Sequence, residues 1–302
     1  MSIRFKEAGS ESSRRECYGG PDKQHDTSEF LLWFTDILDD ELNPGRDIVN
    51  NIAQGEIPAT QIPRFKRIPL VQASMESLQY LRAGRLSIIS QRMDSQECNQ
   101  TICKTCGDVT RTWNSFRQLT VPLPDSRAHT LQQLLDTQYG TGSADLRTAI
   151  DCDSLKCRGA KRDKDLTRYL TRLPDYLVIT IGRFLSLGSG RNNAEITFPE
   201  TGIDLTKYFC PTEGVPPNAL DREHRGPFRY DVYAVQQHRG TLSGGHYWTV
   251  ARSPDLPRNK NGAGEWHEFN DKNVNPCTFA KTQDSSTYMI YLVRQGTPMR
   301  RG

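Results

Sequence analysis

Downstream of Asp26 the apolar residues Phe30, Leu31, Phe34, Ile37 and Leu38 recur at helical spacing, which predicts an amphipathic helix with one face for a core. Asp26-Thr27-Ser28-Glu29 has the form of a capping box at its start, and Asn43-Pro44-Gly45 ends it. After a polar connector to about Pro69, helical patterns recur at Ala73 to Leu81 and at Leu131 to Tyr139. Leu86 to Ser90 reads as a strand, as does the region Arg111 to Val121. Leu177 to Ile181 is a continuous apolar run rich in β-branched residues, the pattern of a strand buried on both faces. Tyr230 to Val235, Tyr247 to Ala251 and Thr287 to Val293 repeat it and predict a sheet in the second half. Pro211 to Pro227 and Ser253 to Gly264 carry Pro, Gly, Asn and charge and read as surface loops; no internal repeat or low-complexity tract is visible.

A length of 302 residues suits one large domain or two small ones. Lys and Arg total 39 against 36 Asp and Glu, and a formal charge of +3 names no partner. A nucleic-acid-binding module would show a basic stripe with interleaved aromatics, so that class is set aside. Without an apolar stretch near 18 residues, no membrane span is expected. Met1 to Arg15 is polar and charged and lacks the apolar region of a secretory signal. The eight cysteines are therefore expected in a reducing compartment, cytosol or nucleus, where clustered Cys means metal or catalysis before disulfides.

Two cysteine pairs carry the plainest chemical signal. Cys103-Lys104-Thr105-Cys106 is joined further on by Cys152-Asp153-Ser154-Leu155-Lys156-Cys157. Each pair can sit on a turn whose backbone bends both thiolates toward one tetrahedral zinc, and Gly107 supplies the freedom a tight knuckle needs. The second pair has four intervening residues and needs a wider turn. The alternative is four buried thiols behaving as small hydrophobes. Cys98 is a possible substitute ligand, whereas Cys210 and Cys277 stand alone and read as packing residues.

Gly244-Gly245-His246-Tyr247, followed by Trp266-His267-Glu268-Phe269-Asn270-Asp271, reads as the back half of a cysteine peptidase. A nucleophilic thiol needs an imidazole to take its proton and a third side chain to hold the imidazole's tautomer, a role open to Asn or Asp. The two glycines would let backbone approach an extended peptide, and the strand after His246 would anchor it. His267 is the weaker candidate, since alternation puts Trp266 and Glu268 on one face and His267 and Phe269 on the other. His25, His129, His224 and His238 have no comparable neighbours in the sequence.

Together these residues resemble the ubiquitin-specific proteases, papain-like deubiquitinating cysteine peptidases. Gln24-His25-Asp26-Thr27-Ser28-Glu29-Phe30-Leu31 is similar to that family's QQDAxEFL box, and Leu173 to Phe184 to its LPxxLxIHLKRF strand. Tyr230 to Val235 through Gly244-Gly245-His246-Tyr247 resembles its histidine box, and the cysteine pairs fall where its fingers carry zinc. The resemblance implies an α+β papain-like fold over residues 20–295: a partial thumb (20–84), zinc-ribbon β fingers (85–172) and a β palm (173–295), flanked by a disordered or misassigned segment 1–19 and a tail 296–302. It makes His246 the general base, Asn270 its orienting group and Asp271 a neighbour that helps shape the oxyanion region. Structural zinc on Cys103, Cys106, Cys152 and Cys157 is implied, with ubiquitin and ubiquitinated proteins as partners and a monomeric state. Gln24, Asp26, Glu29, Gly244, Gly245 and Tyr247 would bind the ubiquitin tail, carboxylates pairing with its arginines. For Glu29, and less so for Asp26, the capping role is an equal reading.

The sequence departs from that family in two places. Its Asn-x-Cys-x-x-Asn-like box is missing, and Cys17 cannot open a helix because Gly19, Gly20 and Pro21 follow at once. The chain as written is thus expected to be inactive, either as an incomplete version of a working deubiquitinase or as a ubiquitin-binding pseudoprotease acting as an interaction module. Losing the helix that box would begin is also expected to leave apolar surface of the Phe30 to Leu38 helix uncovered. Ile181-Gly182-Arg183 lacks the family's His and Lys, a change expected to alter packing or surface charge rather than chemistry.

Overall fold

The chain begins, where it is described, with a capped helix. Asp26 accepts from the backbone N–H groups of Ser28 and Glu29 and opens α1 (Thr27–Glu41). The computed structural model describes residues 26–44, 57–82, 85–139, 145–184, 190–241, 244–252 and 266–298. The expectations for 1–19, Cys17, Gln24, His25, the loop Ser253 to Gly264 and the end of the tail lie outside these residues. The bonds described for this cap are those Asp26 accepts from the helix, and the Glu29 side chain is exposed. On the predicted apolar face Phe30 is 41% exposed, while Leu31, Phe34, Ile37 and Leu38 are half-buried.

Three further helices follow: α2 (Ile62–Phe65), α3 (Leu70–Leu81) and α4 (Ile88–Met93). The α4 segment corrects the strand expected at Leu86 to Ser90. Ser87 is its N-cap and accepts from the Ser90 N–H, so a local side-chain bond outweighs the β-forming character of Ile88 and Ile89. Next come β1 (Ser95–Cys103), β2 (Val109–Phe116), β3 (Gln118–Pro122), β4 (His129–Thr130), α5 (Leu131–Gln138), β5 (Asp145–Asp151) and β6 (Lys161–Arg172). The second half contributes β7 (Tyr176–Gly182), β8 (Ile196–Thr197), β9 (Ile203–Asp204), β10 (Arg229–Thr241), β11 (Gly244–Arg252), β12 (Trp266–Asn270), β13 (Asn273–Cys277) and β14 (Thr287–Arg294).

Two sheets organise the molecule. The fingers are an antiparallel sheet in the order β2-β1-β6-β5, whose edge strand β5 is exposed along its whole length. The palm runs β13-β12-β11-β10-β14-β7-β3, with β9 beside β10. Its centre is apolar as the sequence predicted: Leu177, Ile179, Ile181, Val235, Ile290 and Leu292 are all fully buried. One of the ties that fasten α1 to this body is a single cation bound by several carboxylates. The Arg117 guanidinium contacts Asp36 at 2.6 Å, Asp39 at 2.5 Å and Asp94 at 2.7 Å, a geometry the planar donor fork of Arg suits.

At the altered strand end the packing alternative of the expectation for Ile181-Gly182-Arg183 applies, and Arg183, which matches the family's Arg, belongs to that packing. It is fully buried, and its guanidinium donates to the carbonyls of Thr287 (2.5 Å), Asn192 (3.0 Å) and Ala194 (2.8 Å). Burial, with Arg191 adding repulsion, lowers its pKa to about 9. It joins the end of β7 to the segment that precedes β8 and to the first residue of β14.

Candidate active site

The site lies where the β10–β11 hairpin meets the β12–β13 hairpin. In β10 and β11, Arg239 pairs with His246, Gly240 with Gly245 and Thr241 with Gly244. Gly240 has a φ of +138°, and a Cβ there would lie 2.4 Å from the Gly244 carbonyl oxygen. A Cβ on Gly245 would lie 2.2 Å from His238 Nε2 and 2.6 Å from the Arg239 carbonyl oxygen. The chain's own packing therefore demands these glycines, in addition to the peptide approach foreseen from sequence.

His246 projects from β11 with its side chain 49% exposed. Its Nε2 lies 2.6 Å from Asn270 Oδ1, at the end of β12. An amide oxygen can only accept, so this contact puts the imidazole proton on Nε2 and leaves the Nδ1 lone pair to take a proton from a nucleophile. Asn270 is placed by a tight hairpin in which it pairs with Asn273 while Asp271, in the loop, takes a φ of +52°. Asp271 Oδ2 comes within 4.0 Å of His246 Nε2. At that separation a carboxylate stabilises an imidazolium by about 1 kcal/mol in water-like surroundings, which supplies some of the negative charge an amide lacks.

Around this pair, Gln237, Arg239, Trp248, Glu268, Lys281 and Asp284 line an open cavity of about 450 Å³ together with His246 and Asn270. Glu268 and Lys281 pair at 2.8 Å. His267, by contrast, is 2% exposed on the opposite face of β12, as alternation suggested.

Asp26 proves to be a structural node as well as a helix cap. Its Oδ2 accepts from the Tyr247 hydroxyl at 2.9 Å and the Tyr288 hydroxyl at 2.8 Å, while Oδ1 takes the two backbone N–H groups of α1. Burial, then the Asp26 charge, push both phenol pKa values up and keep them protonated donors. A carboxylate offers about four acceptor positions, and α1, β11 and β14 fill them. Tyr247, expected to touch substrate, thus also locks the histidine strand to α1. Tyr288 went unnoticed in the sequence, because nothing in a strand's alternation says which buried tyrosine meets a distant carboxylate.

His238, across from Tyr247, is 1% exposed and packs on Tyr247, Tyr288 and Phe184 at ring separations of 4.3, 6.0 and 5.7 Å. Burial, then the Arg191 charge, lower its pKa, so it is held neutral. His129 and His224 do have partners the sequence reading missed: each bonds a nearby carboxylate, Asp125 at 2.9 Å and Asp221 respectively.

In the fingers the four cysteines converge. The sulfurs of Cys103, Cys106, Cys152 and Cys157 all lie within 4.8 Å of one another, and Cys106 to Cys152 measures 3.6 Å. A tetrahedron with metal–sulfur bonds of about 2.3 Å has edges of about 3.8 Å, so the donor set fits a metal ion. The first knuckle closes with Gly107 N–H on the Cys103 carbonyl at 2.8 Å, with Gly107 at a φ of +73° as expected. The wider second pair is accommodated by a turn at Ser154, whose carbonyl accepts from Cys157 and Arg158, and by positive φ at Arg158 and Gly159. The Asp108 backbone N–H and the Ser154 side chain lower the Cys106 pKa to about 6, whereas burial and the neighbouring thiols raise Cys152 and Cys157, so without a metal the cluster favours one thiolate among protonated thiols. Cys98 is not a substitute ligand: it is fully buried in the main core, on the neighbouring run of β1, and burial raises its pKa to about 12. Cys210 is likewise core and Cys277 packs against it, as expected. Among the described residues no cysteine is bonded to His246.

The model of one family, described as ubiquitin carboxyl-terminal hydrolase, matches residues 4–291. The chain belongs to this family. Ubiquitin carboxyl-terminal hydrolase 2 of Homo sapiens is 25% identical over 284 residues, which cover 92% of this chain and 41% of the relative. Ubiquitin carboxyl-terminal hydrolase 4 of Vanderwaltozyma polyspora is 30% identical over 269 residues, 84% of this chain and 28% of the relative. The chain thus spans less than half the length of these curated relatives. Among solved structures, the SAGA Ubp8/Sgf11/Sus1/Sgf73 DUB module aligns with a TM-score of 0.62 at 16% identity over 92% of this chain and 52% of that chain. The same module bound to ubiquitin aldehyde gives 0.54 at 18% identity, over 75% and 48%. The α+β, papain-like architecture expected from sequence is therefore that of the ubiquitin carboxyl-terminal hydrolases.

Proposed function

We propose that this chain forms the base-bearing part of a deubiquitinating thiol peptidase that hydrolyses the bond after the C-terminal glycine of ubiquitin. The observation that carries the reading is the 2.6 Å contact between His246 Nε2 and Asn270 Oδ1 at the open end of the palm. Membership of the ubiquitin carboxyl-terminal hydrolase family supports the substrate. A thiol presented to His246 Nδ1 gives up its proton and attacks the glycine carbonyl; the imidazolium then protonates the departing amine, and water attacks the acyl-enzyme with Nδ1 again as base. Asn270 holds the tautomer through both halves, and Asp271 offsets the charge while the imidazole is protonated.

Gly244, Gly245 and Tyr247 form the wall along which the ubiquitin tail runs, and the resemblance adds Gln24 and Glu29 to the residues that bind it. Asp26 acts chiefly through Tyr247 and Tyr288, its carboxylate already bonded to both. Cys103, Cys106, Cys152 and Cys157 hold a structural zinc, whose contribution is to fix the tip of the fingers. The chain works as a monomer in the cytosol or nucleus, with ubiquitin and ubiquitinated proteins as partners. The test is hydrolysis of a ubiquitin C-terminal fluorogenic amide by the natural protein alongside a ubiquitin titration. Turnover sensitive to thiol alkylation is expected of a form that presents a thiol to His246 Nδ1, which none of the described cysteines does. Binding without turnover would make it an interaction module, and neither binding nor turnover would overturn the reading.

A further inference from the structure

A hydrogen bond to Asn270 sets the direction of the His246 imidazole but not its plane. The ring can rock about the Nε2 contact, and with its side chain 49% exposed little else encloses it. Trp248, two residues along β11 and so on the same face, supplies the missing constraint. Its indole lies within 20° of parallel to the imidazole at a centroid separation of 5.9 Å, an offset stack. The indole is itself braced. The Arg239 guanidinium, on the cross-strand partner of His246, sits 5.7 Å over the Trp248 ring, while Gln236 Nε2 holds the backbone beneath it by donating to the Trp248 carbonyl at 3.2 Å. Trp248 and Arg239 both line the cavity into which His246 faces.

We propose that Trp248 is a positioning residue: its indole fixes the plane of the His246 imidazole so that Nδ1 stays aimed at the thiol while Nε2 stays on Asn270. The proposal rests on the peptidase reading for its catalytic consequence but not for its geometry. A tilted imidazole would still bind substrate normally and would take the proton poorly, so the loss belongs in kcat.

The test compares wild type, Trp248→Phe and Trp248→Leu in the natural protein. Leu keeps apolar volume on a half-buried strand position and removes only the aromatic plane. With a ubiquitin C-terminal fluorogenic amide, Trp248→Leu is expected to lower kcat by about tenfold or more with KM within about twofold, and Trp248→Phe to recover most of the loss. In parallel, the His246 Nε2 proton, observed by nitrogen-15 NMR, is expected to exchange with water clearly faster in Trp248→Leu than in wild type or Trp248→Phe. Unchanged kcat in Trp248→Leu, or equal losses in Leu and Phe, would overturn the proposal. If no form turns over, the peptidase reading fails; the exchange rate then decides alone, and equal rates in wild type and Trp248→Leu sink the positioning role.

Discussion

The cysteine cluster of the fingers and the histidine site of the palm are built by opposite means. In the fingers, each half of the cluster is made by a short turn: Gly107 closes one knuckle, and the Ser154 carbonyl with Arg158 and Gly159 closes the other. Three of its four sulfurs are buried, while the strand beside it, β5, is exposed throughout. In the palm the functional groups are half-exposed and come from strands: His246 from β11 and Asn270 from β12, aligned by a register that pairs Thr249 with Phe269. A local turn can hold a ligand set only if something binds the set together, whereas a sheet with a buried centre holds its edge groups without help. The fingers should therefore depend on the zinc proposed for their cysteines and the palm on its packing.

Breaking the finger half has the largest expected effect. If the proposed zinc is bound, Cys103→Ser removes a ligand from a site with little apolar core of its own, and should cost about 4 kcal/mol or more together with the metal. Metal analysis and thermal melts check this; full stability with no metal in the wild type would contradict the contrast between the two regions. In the palm, Gly245→Ala puts a methyl against His238 Nε2 and the Arg239 carbonyl, and should cost about 1–3 kcal/mol by overpacking while leaving zinc content unchanged.

Asp26→Asn is smaller. The amide keeps one cap acceptor but cannot serve two phenols and two backbone donors, so a loss of about 1–2 kcal/mol is expected in urea melts. Glu29→Ala, a change at the exposed end of the same turn, should stay within about 0.5 kcal/mol. Equal effects would show that Asp26 is only a cap.

The smallest is a pH effect from His238. Its folded pKa lies below the unfolded value of about 6.5. As pH falls through that value the unfolded chain gains a proton that the folded chain refuses, so stability declines on acidification until the lower folded pKa is reached. His238→Phe, which keeps the ring packing, should flatten the stability curve below about pH 6.5. An unchanged slope would mean that other groups set it.

What could be read from sequence follows the same division. The palm strands announced themselves because burial on both faces forces continuous apolar runs such as Leu177 to Ile181. The cysteine spacing and the Gly-Gly-His-Tyr segment were equally plain, since each needs particular residue types close together. The finger strands were harder: β6 reads Lys-Arg-Asp-Lys-Asp at its start, where Lys164 is buried although its neighbours are not, and no hydrophobic period marks it. Leu86 to Ser90 misled because Ser87 caps a helix that its isoleucines alone would not predict. Arg183, Tyr288 and Trp248 acquire their roles only across strands, where pairing and not sequence distance decides the neighbours.

The most direct test is His246→Ala in the natural protein, measuring both ubiquitin affinity and hydrolysis of a ubiquitin C-terminal amide. Because the imidazole is half-exposed and packed mainly on Trp248, affinity and melting temperature should hold while turnover falls by about a thousandfold or more. Turnover that survives the substitution would contradict His246 as the base, and with it the assignment of the palm edge as the catalytic site.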